Sequence, residues 1–221
     1  EKELCLDLET NGVDVLMHKV IMLQFGTKNN DRYAIDCRDY DPSIFSELLN
    51  KDILFVGHNI KFDYNFLKNY GIVLKKVYDT MVVDQVIHNG KYGLDQIIKQ
   101  KRFSLAGVYK YYFKTKISKD TRDEFLYIGD RPFTVKQWMY GLNDVLYPFQ
   151  IKEKQEELIG LLNINKQVNL ENKFVLCLGD IEYNGFKMDL KEWNNVTEYH
   201  KKCLDNIILE LDNYIISLEK G

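Results

Sequence analysis

Four short strand-like runs precede any long helical stretch in this chain: Glu3 to Glu9, Val20 to Thr27, Asp31 to Asp36 and Ile53 to Gly57. Asn-, Gly- and Lys-containing turns separate the first three, which predicts an antiparallel meander. The fourth run is apolar throughout, as suits a strand inside a sheet, and a helical pattern from about Lys61 to Tyr70 follows it, stopped by Gly71. A meander joined to a strand-then-helix unit restricts the fold to α/β, with a mixed central sheet flanked by helices. A short helix with proline in its first turn is expected from Pro42 to Leu49. From Thr80 onward the pattern is mainly helical, with one long helix from about Thr134, its N-cap, to Lys154. A break follows over NINKQVNL, residues 163–170. Two further helices, about Glu171 to Tyr183 and Leu190 to Leu218, are joined by a turn bent at Gly185.

The first strand, within CLDLETNG, carries two acids in an apolar run. Residues two apart on a strand share a face, so Asp7 and Glu9 project together while Leu6 and Leu8 project oppositely. Like charges side by side persist if both face water, if one carboxyl keeps its proton, or if a cation sits between them. An edge strand with a solvated acidic face satisfies the first condition, and a metal site the third.

The 221 residues, 45% hydrophobic, can fill one large core or one domain with an appendage. Cys5, Cys37, Cys177 and Cys203 are scattered, without a C-x-x-C pair, so neither a disulfide framework nor a zinc cluster is predicted. That spacing suggests a reducing, intracellular setting. No apolar run approaches the roughly 20 residues of a membrane span. A start at Glu1 with a strand close behind reads as a fragment or an excised domain. The net charge of -3 argues against a general nucleic-acid coat. Locally, however, Lys99, Lys101, Arg102, Lys110, Lys114, Lys116 and Lys119 interleave with Phe103, Tyr109, Tyr111, Tyr112 and Phe113, with no acid between. Such a stripe suits single-stranded nucleic acid, or equally a solvated helix whose tyrosines pack inward.

Two more stretches carry acids. Asp63 lies in VGHNIKFDYNFL, where a buried strand hands over to a helix, a place that serves ligand binding and helix capping alike. Tyr140 and Asp144 in WMYGLNDV stand four apart, on one face of a helix. D-x-E on a first strand, N-x-x-x-D at a strand-to-helix junction and Y-x-x-x-D on a late helix, in that order, resemble the tyrosine-bearing DEDD 3′→5′ exonucleases, and most closely the proofreading domain of family A DNA polymerases. VYDTMVVDQVI, FSLAGVYKYYF and FTVKQWMYGLNDV fall in family order, and ENKFVLCLGDIEYNGFKMD looks like the entry into the polymerase thumb. Gly141 in mid-helix costs about 1 kcal/mol relative to alanine. Pro148 removes the amide that would bond to the Asp144 carbonyl, which predicts a kink.

The resemblance implies a ribonuclease H-like exonuclease fold over residues 1–155 and a helical extension, 156–221, like the start of the thumb. It implies two divalent ions, Mg²⁺ or Mn²⁺, with Asp7 bridging them, Glu9 and Asp144 completing the first site and Asp63 holding the second through water. It gives Tyr140 the orientation of the attacking water, Thr10 and Val13 the terminal nucleotide, and His58 with Asn59 the sugar-phosphate of the frayed end. Val13 could instead cover the core, and His58 could be structural. The substrate would be a single-stranded or frayed DNA 3′ end, released as nucleoside 5′-monophosphates. The partner would be the chain's own polymerase domain, in a monomer off the membrane. A ribonuclease D-like exoribonuclease and an inactive DNA-binding module are the alternatives.

Overall fold

The computed structural model describes residues 2–117 and 121–219. Its centre is a five-stranded sheet of β1 (Glu3–Thr10), β2 (Val20–Gly26), β3 (Arg32–Asp36), β4 (Leu54–Gly57) and β5 (Lys76–Asp79), in the order β3-β2-β1-β4-β5. The β1–β2 and β2–β3 pairs are antiparallel, and β1–β4 and β4–β5 are parallel. The predicted meander and the mixed sheet are therefore both present. The helices are α1 (Ser46–Leu49), entered through a 3-10 turn at Pro42–Phe45, α2 (Ile60–Lys68), α3 (Thr80–Ile87), α4 (Leu94–Ile98), α5 (Leu105–Phe113), α6 (Val135–Asp144), α7 (Tyr147–Leu162), α8 (Asn165–Asn184) and α9 (Leu190–Glu219). None is long and apolar enough to cross a membrane, among the described residues.

Strand alternation sorts the core into two layers. Leu4, Leu6 and Leu8 of β1 join Leu23, Phe25, Phe55, Ile60 and Tyr64 on one face. Cys5 points the other way, into Val56, Tyr78, Val83, Val145 and Phe149. Asp7 and Glu9 follow Cys5 by period two, onto the face covered by α6 and α7.

Two predicted boundaries need correction. The single helix expected from Thr134 to Lys154 is two helices, with the break at Val145–Leu146 and Pro148 inside the first turn of α7. The lost amide that suggested a kink there accompanies a full interruption. Conversely, the break expected over residues 163–170 shrinks to Asn163 and Ile164: Asn163 takes φ 54°, its amide donates to the Gly160 carbonyl, and α8 begins at Asn165. An asparagine tolerates this left-handed stop almost as glycine does, so one residue suffices.

The chain separates into two compact units, one running through Tyr183 and one from Asn184 onward. α8 lies within the first. Its Asn172 Oδ1 accepts the Asp79 amide at 2.7 Å, Asp180 accepts the Tyr64 hydroxyl at 2.9 Å, and Lys68 pairs with Asp180. The second unit is the 30-residue helix α9 with the turn before it, where Gly185 has φ 60°.

Candidate active site

The site is assembled from three elements. β1 supplies Asp7 and Glu9, and an irregularity in its pairing with β2 falls between Glu9 and Thr10. Bulges of this kind bend a strand and re-aim its side chains. α6 supplies Tyr140 and Asp144. Its start is fixed by a capping box in which the Thr134 hydroxyl accepts the Gln137 amide and Gln137 Oε1 accepts the Thr134 amide at 2.9 Å. Gly141 then lets the helix lie against β2, since a Cβ there would stand 2.7 Å from Gln24 Nε2 and 2.8 Å from Met22 Sδ. The mid-helix glycine that propensity disfavours is required by this approach. Carboxylate oxygens of Asp7, Glu9 and Asp144 consequently lie within 4.8 Å of one another. Glu9 is 7% and Asp144 4% exposed.

Asp63, 3% exposed, enters from the other direction. β4 pairs with β1 only as far as Cys5, so the Leu8 amide lies beyond that ladder, and it donates to Asp63 Oδ1 at 3.2 Å. Burial, followed by the neighbouring Asp7 and Glu9 charges, pushes the Asp63 carboxyl well above the usual carboxylate range. Asp63 is not within the mutual 4.8 Å of the other three.

The turn into α2 is held by a residue the sequence reading does not single out. Buried Asp79 accepts the amides of Asn59 at 2.9 Å, Ile60 at 3.0 Å and Met81 at 2.9 Å, tying the starts of α2 and α3 together. Asn59 takes φ 62°, a left-handed conformation that asparagine adopts more readily than most residues. Its neighbour His58 uses both ring nitrogens, at 2.9 Å from Thr80 Oγ1 and 3.1 Å from the Phe103 carbonyl. Thr10 donates its hydroxyl to the Gly12 carbonyl at 2.6 Å. Val13 is 76% exposed, with Leu16 and Met17 similarly open on the same loop. The Tyr140 ring packs at 5.9 Å from Phe125, one helical turn before Asp144.

The stripe divides in two: Arg102 and the aromatic residues turn inward, and the described lysines face solvent. Arg102 donates to Asp84 at 2.8 Å and stacks over Tyr92 and Tyr111; the Tyr112 hydroxyl also donates to Asp84, and Tyr109 donates to Gln150. Lys99, Lys101, Lys110, Lys114 and Lys116 are exposed, while Lys119 lies outside the described residues.

Hard oxygen donors clustered this closely suit Mg²⁺ or Mn²⁺ rather than a softer ion, so the donor set fits a divalent cation of that kind. Residues 1–159 match the 3′-5′ exonuclease family of DNA polymerase A type. DNA polymerase I of Aquifex aeolicus is 26% identical over 213 residues, which cover 87% of this chain and 33% of that protein. The chain thus spans about a third of the length of this curated relative. Among solved structures, Brucella melitensis NrnC has a TM-score of 0.70 at 18% identity, covering 86% of this chain and 89% of that one, and it has also been solved with bound Mg²⁺. Escherichia coli RNase D, an exoribonuclease involved in structured RNA processing, has a TM-score of 0.66 at 17% identity, covering 89% and 49%. These neighbours share the ribonuclease H-like exonuclease fold predicted for the chain. It belongs to the 3′-5′ exonuclease family and is similar to the proofreading domains of DNA polymerase I.

Proposed function

We propose that this chain is the proofreading module of a DNA-directed DNA polymerase, removing nucleotides one at a time from a single-stranded or frayed DNA 3′ end as nucleoside 5′-monophosphates. The observation that carries this reading is the convergence of Asp7, Glu9 and Asp144 within 4.8 Å, with Tyr140 one helical turn from Asp144. Asp7, Glu9, Asp144 and Asp63 would hold two divalent ions. Bound there, two such ions supply neutralisation of charge at the scissile phosphate and acidification of the attacking water.

The remaining work falls to the protein. Tyr140, braced by Phe125, directs its hydroxyl at the attacking water and orients it. Asp63 keeps its carboxyl fixed through the Leu8 amide. Val13 presents an exposed apolar surface to the last base, beside Thr10, and Asn59 faces the sugar-phosphate from a fixed left-handed turn. His58 joins it by giving up its contact with Thr80 or with the Phe103 carbonyl. A mispaired terminus melts more cheaply and so reaches the site more often. Residues 1–155 form the nuclease module in this reading, 156–221 lead toward a polymerase thumb, and the partner is the polymerase portion of the same protein.

A 5′-labelled DNA oligonucleotide incubated with the chain and Mg²⁺ or Mn²⁺, beside an Asp7→Ala, Glu9→Ala double variant and an RNA of equal sequence, tests it. The expected result is a ladder shrinking from the 3′ end, absent in the variant and weak on RNA. Stronger shortening of the RNA would shift the substrate to that of an RNase D-like enzyme. Strand binding without metal-dependent shortening would contradict a nuclease role.

A further inference from the structure

Gln24 occupies the middle of β2 in the run VIMLQFG, with its side chain fully buried. Among the described residues, neither its Nε2 nor its Oε1 has a hydrogen-bond partner. A desolvated amide without a partner is costly, and methionine would fill the same space without that cost. Its position relates it to the carboxylates. The register of the sheet sets Gln24 directly opposite Asp7 on β1. Such cross-strand pairs share a face, with Cβ atoms about 4.5–5.5 Å apart. Above it lies α6, so close that a Cβ on Gly141 would meet Nε2 at 2.7 Å. The amide is therefore enclosed between the strand that carries Asp7 and the helix that carries Tyr140 and Asp144.

We propose that Gln24 is a positioning residue of this site: its side-chain N–H donates to the Asp7 carboxylate when a divalent cation occupies the cluster, fixing the orientation in which Asp7 binds. The terminal torsion of a glutamine is broad, so a rotation of the amide within the layer is enough to deliver the N–H. Hydrogen bonds of this outer kind orient metal-binding carboxylates, and their loss typically costs about 10- to 100-fold in metal affinity. The inference rests on the reading above, that Asp7, Glu9 and Asp144 hold divalent ions.

The test is Mn²⁺ binding by the full chain without nucleic acid, followed by the electron paramagnetic resonance of free Mn²⁺, for the wild type and Gln24→Met, alongside thermal melting of both. Gln24→Met should melt no lower than the wild type while its Mn²⁺ affinity falls about 10- to 100-fold. A purely structural glutamine would give the reverse pattern, a lower melting temperature with unchanged affinity, and that result overturns the proposal. A wild type that does not bind Mn²⁺ overturns the metal-site reading itself. Should Gln24→Met not fold, the side-chain amide protons of Gln24 in the wild type decide, assigned through the backbone and followed during Mg²⁺ titration. One of the two should move downfield on saturation, and two unmoved protons would overturn the assignment.

Discussion

Two buried aspartates, Asp63 and Asp84, sit on neighbouring helices and titrate in opposite directions. Asp84 is fully buried, and burial alone would raise its carboxyl; the contact with His88, the Arg102 charge and the Tyr112 hydroxyl outweigh burial and hold it below the usual range. Asp63 is buried as deeply, but its neighbours are Asp7 and Glu9, which add to burial and hold it up. The first environment is completed by the protein's own cation, and its geometry is that of a structural tie between α3 and α5. The second gathers acid against acid, an arrangement that a folded chain tolerates where a carboxyl keeps its proton or a cation is bound.

The sharpest way to break this contrast is to remove one acid from each region. Asp144→Asn should lower the exonuclease rate by on the order of 10³-fold if, as proposed, several kcal/mol of transition-state stabilisation depend on ions that it helps to hold. Single-turnover shortening of a labelled strand measures it, and the fold should survive. Arg102→Ala should act the other way, destabilising the protein by about 3–5 kcal/mol in urea unfolding because Asp84 is left buried without its guanidinium. A loss under 1 kcal/mol there would remove the structural half of the comparison.

Smaller effects sharpen it. Gly141→Ala should cost about 1–3 kcal/mol by pressing α6 off Gln24 and Met22, against a propensity gain of about 1 kcal/mol, which a shift in the urea midpoint would report. The two aspartates also predict opposite pH slopes, each at most about 1.4 kcal/mol per pH unit. Asp63 has a folded-state pKa above its unfolded one, so its contribution is complete at low pH and is lost as pH rises through the raised value. Asp84 has a folded-state pKa below its unfolded one, so its contribution is present above the ordinary carboxylate range and is lost as pH falls through the depressed value. Asp63→Asn should flatten the decline of stability as pH rises above the ordinary carboxylate range without Mg²⁺, and Asp84→Asn the decline as pH falls below it.

Much of this was legible in the sequence. Period two on β1 places Asp7 and Glu9 on one face, and the four-residue spacing on α6 aligns Tyr140 with Asp144, because both are local consequences of backbone geometry. Thr134 as a cap follows from the same local chemistry. What stayed hidden depends on distant partners. β5 has only four residues, Lys76–Asp79, and is a strand because β4 offers it an edge. Arg102 reads as one member of a basic stripe until folding brings Asp84 to it across 18 positions. Gln24 is one polar residue in an apolar run, and its relation to Asp7 is a matter of register. Asp79 resembles any helix cap until its bonds to Asn59 and Ile60 show that it also shapes the turn above the site.

The contrast between the two aspartate environments is tested most directly by calorimetric Mn²⁺ titration of Asp144→Asn and Asp84→Asn, each checked for its fold. Asp144→Asn should lose at least about 100-fold in affinity while Asp84→Asn binds as the wild type does. Equal affinities in the two variants would contradict the assignment of the Asp7, Glu9 and Asp144 cluster as the cation site.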